Sequence, residues 1–178
     1  MLIPRQPVPE LKVATLAGVP FDIATDNADT FTLVAFYRGL HCPICAKYLM
    51  ELERLTPEFA ERGVNTIAIS SDTQERAQAM ADKVNAHHLR FGYDLPLSVA
   101  RRWGLYVSAS RGKTSIGIEE PALFSEPGLF IVRPDGTLYY GAVQTMPFAR
   151  PLFSELLGAV DFVLKNNYPA RGEVVAGD

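Results

Sequence analysis

Phe36 to Leu49 reads FYRGLHCPICAKYL and holds the only two cysteines of the 178-residue chain, Cys42 and Cys45, with Pro43 directly after the first. The run leading into it, TFTLVAFYR at residues 30–38, is almost continuously apolar and rich in β-branched and aromatic residues. Such a run suits a strand buried on both faces, as in a parallel or mixed sheet. Pro43 is then well placed as the first residue of a helix, where its missing N–H costs nothing. Ile44, Tyr48, Leu52, Leu55 and Phe59 follow at helical spacing and predict one apolar face, and Gly63 ends the helix. The cysteines therefore fall where a buried strand gives way to a helix.

Working outward, VNTIAIS at residues 64–70 predicts a second buried strand, and SSDTQE supplies N-caps for a helix over QERAQAMADKVNA. Upstream, Pro4, Pro7 and Pro9 predict an extended arm, and ELKVATLAGVPFDIA predicts a hairpin turning at Ala17 and Gly18. Residues 86–127 are less regular: SVARRWG reads as a short helix capped by Ser98 and stopped by Gly104, and SRGKTSIG at residues 110–117 as a mobile loop. GLFIV and TLYYGAV read as strands joined at Arg133-Pro-Asp-Gly136. Pro151 opens a last helix with Phe153, Leu156, Leu157, Val160, Val163 and Leu164 toward the core, and Pro169 and Gly172 begin a loose tail. The expected fold class is α/β: a mixed central sheet flanked by helices, with an N-terminal β-hairpin extension. No repeat, linker or low-complexity tract divides the chain, so residues 1–178 read as one domain.

Composition excludes several functions. The net charge of −3 and the lack of a basic cluster argue against nucleic acid. Neither a P-loop nor a Gly-x-Gly-x-x-Gly pattern occurs, and no apolar run reaches the roughly 20 residues of a membrane helix. MLIPRQPVPELK lacks the basic start and apolar stretch of a signal peptide. A cytoplasmic location is the default expectation, and there a close cysteine pair is catalytic or metal-binding more often than structural.

At a strand-to-helix junction, the sulfur of Cys42 lies near free N–H groups and the positive end of the helix dipole, which favour a thiolate. The amides of Ile44 and Cys45 are expected to point at it. Cys45, one turn later, can close a small disulfide ring, so the pair reads as a nucleophile with a built-in resolving partner. Inert buried thiols are the plain alternative. Zinc would need two further ligands, and only His41, His87 and His88 are on offer, the first too close to the pair and the others adjacent to each other. Neither metal nor cofactor is expected. His41, if protonated, would lower the pKa of Cys42, or else it covers the site. Arg38 at the strand end would help to hold a thiolate. Nothing in the sequence places Arg150 near the sulfurs.

The chain from about Pro7 to Asn167 resembles the peroxiredoxin-like branch of the thioredoxin-fold superfamily, the alkyl hydroperoxide reductase/thiol-specific antioxidant group. The likeness rests on PVPELKVATLAG, TLVAFYRG, NTIAISSDTQERAQAMADK, LSVARRWGLY and PGLFIVRPDGTLYYG. It implies a thioredoxin-like three-layer fold and antioxidant-type thiol chemistry. The family's site pattern runs Phe-Tyr-Pro, then Thr or Ser, then the peroxidatic Cys three positions later. Laid over this chain it puts the peroxidatic position on Cys45, the Thr position on Cys42 and the Pro position on Arg38. The family's arginine at the start of the GLFIV strand falls on Pro127, so the Thr and Arg that activate peroxide are both absent from their places. Thioredoxins carry a cis-proline at that place, facing their Cys-x-x-Cys, which implies a cis Pro127.

The resemblance thus implies a thiol-disulfide oxidoreductase using Cys42 and Cys45, with Pro127, His41, Arg38 and Pro43 in support. The alternatives are a hydroperoxide-reducing peroxidase or sensor, and a non-enzymatic module that binds a partner or metal. The expected partners are a thioredoxin- or glutathione-like reductant or a hydroperoxide. Exposed edges of such folds often pair, which makes a homodimer an option.

Overall fold

The computed structural model describes residues 1–175. Its core is built on the strand before the cysteines. In chain order the elements are β1 (Lys12–Thr15), β2 (Phe21–Asp22), β3 (Phe31–Phe36), α1 (Pro43–Glu61), β4 (Val64–Ile69), α2 (Gln74–Val84), β5 (Arg90–Tyr93), α3 (Leu97–Arg102), β6 (Val107–Ala109), β7 (Leu123–Ser125), β8 (Gly128–Val132), β9 (Leu138–Val143) and α4 (Phe153–Asn166). Seven strands form one sheet in the order β2-β1-β5-β4-β3-β8-β9, and β6 pairs only with β7. β3, β4 and β5 run parallel, while β8 lies antiparallel to β3 with Phe36 opposite Gly128.

Every residue of β3 is buried, and the side chains divide by strand alternation. Phe31, Leu33 and Ala35 pack with α1, α2 and α4, including Leu49, Leu52, Phe59, Met80 and Leu156. Val34 and Phe36 face the other way, with Leu11, Phe21, Ala100, Trp103 and Phe130. The sheet is thus covered on both faces, and the end of β3 delivers the chain to the start of α1 beneath this cover. The N-terminal hairpin is an edge of the sheet rather than an appendage, because β1 pairs with β5.

The structure corrects several expectations. Ile44 is 38% exposed, and the buried stripe of α1 begins at Cys45 and continues through Leu49, Leu52, Leu55 and Phe59. Two successive steps of four, from Ile44 to Tyr48 to Leu52, turn the side-chain direction by about 80°. Pro96 occupies the N-cap of α3, which leaves Ser98 inside the helix without a capping bond. In α4 the first residue is Phe153, two after Pro151, and Leu164 is exposed. Residues 86–127 hold three strands. Within them the 110–117 stretch is a hydrogen-bonded turn, with Thr114 N–H donating to Ile118 O and Lys113 bridged to Glu119. The tail is tied back by Arg5, whose Nε donates to Ala170 O and which pairs with Glu173; residues 176–178 lie outside the described residues. No peptide bond among the described residues is cis, so Pro127 is trans. It is buried directly before β8 and starts that strand in the ordinary form.

Candidate active site

The loop that leads from β3 to Cys42 is shaped by one close approach. Gly39 has φ +140°, and a Cβ there would lie 2.7 Å from Asp72 Oδ2. The buried Asp72 carboxylate accepts from Leu40 N–H at 2.7 Å and from Arg76 Nε at 2.8 Å. Gly39 O in turn accepts from Cys42 N–H. Only a residue without a Cβ fits this backbone without strain. Gly39→Ala should therefore cost about 1–3 kcal/mol in urea denaturation and slow alkylation of Cys42; unchanged stability and reactivity would show that the loop yields freely.

Cys42 is the N-cap of α1, and Pro43 is its first helical residue. Of the two amides expected at the sulfur, the Cys45 N–H is bonded, at 3.2 Å from Cys42 Sγ. Both thiols are free and buried, Cys42 at 2% and Cys45 at 0% exposure. The environment separates them. The Cys42 thiol is drawn down to about 6, first by a hydrogen bond from the Cys45 thiol; burial opposes this, and the Cys45 amide, Arg150 and Arg38 reinforce it. Burial pushes the Cys45 thiol well up, the bond to Cys42 and the charge on Cys42 push further, and Arg150 offsets part. These surroundings favour the thiolate on Cys42 and the proton on Cys45.

Arg150, which sequence reasoning left aside, is the cation of this site. Its Nη2 lies 2.9 Å from Cys45 Sγ and 4.0 Å from Cys42 Sγ. Ala149 before it has φ +60°, a left-handed kink ahead of Pro151. The guanidinium lies over the Tyr48 ring, 4.8 Å from its centroid. Its Nε and Nη1 are buried without partners, and among the described residues no carboxylate pairs with it. The sulfurs are thus its counter-charge.

The other expected supporting residues play different parts. Arg38 is compensated by buried carboxylates, with Nη2 3.5 Å from Glu120 and Nε 3.4 Å from Glu126, and it lies over Phe124. Its pull on Cys42 is the weakest of those named above. His41 is fully buried with both ring nitrogens unpartnered and packs against Phe124 at 4.6 Å between centroids. Burial lowers it to about 4, so it is neutral at pH 7 and is not a cation beside Cys42. Among the described residues, no group of three or more His, Cys, Asp or Glu is placed to hold a metal ion.

A mixed sheet with a cysteine pair between the end of a buried parallel strand and the start of the next helix defines a thioredoxin-like, thiol-bearing protein. The chain belongs to the AhpC/TSA family, whose model matches residues 4–141. Arg150 lies beyond that matched stretch. Solved structures similar to it include peroxidoxin BcpB from Mycobacterium tuberculosis, at 18% identity and TM-score 0.71 over 92% of this chain and 99% of that one. AhpC of Enterococcus faecalis matches at 17% identity and TM-score 0.70, covering 94% and 98%. The reduced 2-Cys peroxiredoxin of Plasmodium vivax matches at 14% identity and TM-score 0.73, covering 100% and 92%. At these identities the likeness is one of fold. No curated protein matches the sequence.

Proposed function

We propose that this chain is a thiol-disulfide oxidoreductase in which Cys42 attacks and Cys45 resolves. The observation that carries the reading is the asymmetry of the pair: Cys42 caps α1 and accepts the Cys45 N–H at 3.2 Å, while Cys45 lies inside the helix and is wholly buried, so Cys42 is drawn down to about 6 and Cys45 is pushed up. In the first step the Cys42 thiolate attacks one sulfur of a disulfide; the S–S bond breaks, a thiolate leaves and a mixed disulfide forms. The negative charge that held the Cys45 proton is then gone, while Arg150 remains 2.9 Å from its sulfur. Cys45 loses its proton to the departing thiolate or to water and attacks Cys42 Sγ, which expels the second thiolate. Two electrons leave the pair and a Cys42–Cys45 disulfide results. A thioredoxin- or glutathione-like thiol returns it to the reduced form. Among the described residues no helix is long and apolar enough to cross a membrane.

One observation favours a second reading, a peroxidase. The family pattern laid over this chain puts its peroxidatic position on Cys45, and Arg150, 2.9 Å from that sulfur, would supply from another segment the arginine that the pattern puts at Pro127. There a thiolate would attack the hydroperoxide, an alcohol or water would leave with a proton, and the neighbouring thiol would condense with the sulfenic acid, releasing water.

The readings part in a rapid-quench experiment. Reduced protein is mixed with glutathione disulfide or with hydrogen peroxide, acid-quenched, and the first modified cysteine is located by mass spectrometry. The proposal expects faster exchange with the disulfide than a free cysteine shows, starting at Cys42. Faster reaction with peroxide alone, starting at Cys45, would replace it with the second reading, and free-thiol rates with both would reject both.

A further inference from the structure

Arg150 reaches the sulfurs from a distant stretch with no regular structure, and one side chain of α1 meets it there. Tyr48 lies one turn beyond Cys45. Its ring is the platform under the guanidinium, 4.8 Å from centroid to Cζ. Its hydroxyl donates to Pro151 O, directly after Arg150, at 2.5 Å. Its ring also packs on Phe153, the first residue of α4, at 4.2 Å. One half-buried tyrosine therefore touches the arginine side chain, the backbone beside it and the helix that follows.

We propose that Tyr48 is the positioning residue for Arg150: it holds the guanidinium against the cysteine pair by its face, a contact that leaves the positive charge free for sulfur. A carboxylate at this place would hold an arginine more strongly but would also neutralise it. An aromatic face attracts a cation through its quadrupole without contributing a charge. Burial keeps the Tyr48 phenol neutral, above its ordinary range, although Arg150 pulls the other way. The chain thus combines a charge-free platform with a guanidinium that keeps two buried nitrogens, Nε and Nη1, unpartnered.

This inference rests on the proposed role of Cys42, and its test separates the two. The pH dependence of Cys42 alkylation is measured by mass spectrometry on the full reduced chain, without any turnover. Wild type should titrate near 6. Tyr48→Leu removes ring and hydroxyl and should move the midpoint up by about one unit. Tyr48→Phe keeps the ring and should stay near wild type. Tyr48→Glu keeps a holding group but cancels the charge, and should move the midpoint at least as far as Tyr48→Leu. Urea denaturation of each variant separates misfolding from a true shift.

A wild-type midpoint near that of a free thiol would overturn the Cys42 assignment itself. A normal wild-type midpoint that Tyr48→Leu leaves in place, in a folded variant, would overturn the positioning role alone. So would a Tyr48→Glu variant that titrates like wild type.

Discussion

Cys42→Ser is expected to lose disulfide-exchange turnover completely, while Cys45→Ser should complete the first step once and stop. The difference follows from the surroundings of each sulfur. Cys42 caps α1, accepts the Cys45 amide and is drawn down to about 6, so at pH 7 most of it is thiolate. Removing it leaves Cys45, which is wholly buried and whose thiol burial pushes up. In Cys45→Ser the nucleophile survives, one thiol leaves per protein molecule, and the mixed disulfide persists because nothing adjacent can attack it. The serine hydroxyl can donate to Cys42 in place of the thiol and the backbone N–H of residue 45 is unchanged, so the first step should stay close to the wild-type rate at neutral pH. Counting released thiol and weighing the trapped adduct checks both variants. Retained disulfide turnover in Cys42→Ser would refute the assignment, and consumption of one equivalent of peroxide by that variant at the wild-type rate would make Cys45 the primary site.

The junction that carries these sulfurs was readable from sequence because local signals agreed there. A strand buried on both faces, a proline at the first helical position and a cysteine pair after it are features of neighbouring residues, and β3 and α1 fall where they point. What escaped depends on residues far apart. β5 is a four-residue strand opened by Arg90, a charge that resembles a loop signal until Asp26 pairs with it at 2.8 Å. β6 and β7 stand outside the main sheet and are three residues each, β6 half-buried to exposed and β7 with Phe124 and Ser125 buried side by side, so they lack the alternation that marks a strand. The neutrality of His41 is imposed by burial against Phe124, 83 positions along the chain by residue number. The cis form of Pro127, expected from a likeness to thioredoxins, fails because an X–Pro isomer is fixed by its tertiary surroundings.

Arg150 was the largest omission. Its contact with Cys45 spans 105 residues, and the kink that aims it falls on Ala149, a residue type that gives no warning of left-handed backbone. One clue was present in MPFARP: an arginine between apolar residues and a proline, with no acidic neighbour to pair with. Once the fold buries such a cation, its anion has to come from elsewhere in the chain, and the sequence does not say whether it is buried.

Arg150→Met should therefore change both the acidity and the redox poise of the pair. Losing one opposite charge at this distance raises a thiol pKa by about 1–2 units. Starting from about 6, the thiolate fraction of Cys42 at pH 7 drops from about 90% to between about 50% and about 10%, and alkylation or disulfide attack slows in proportion. The sign is set by the thiol losing its proton as pH rises. Wild-type reactivity falls only below about pH 6, the variant's falls across neutrality, and the two converge above about pH 9. A thiolate exists only in the reduced form, so weakening it favours the disulfide. At pH 7 the same shift makes the couple more reducing by about 20–30 mV, since a tenfold change in a two-electron equilibrium is about 30 mV. Equilibration with glutathione buffers of graded ratio, followed by alkylation and mass analysis, measures the potential. A folded Arg150→Met protein with an unchanged pH profile and potential would show that the helix terminus and the Cys45 hydrogen bonds suffice alone; a profile that shifts while the potential stays fixed would mean that Arg150 supports the disulfide form equally, through contacts other than charge.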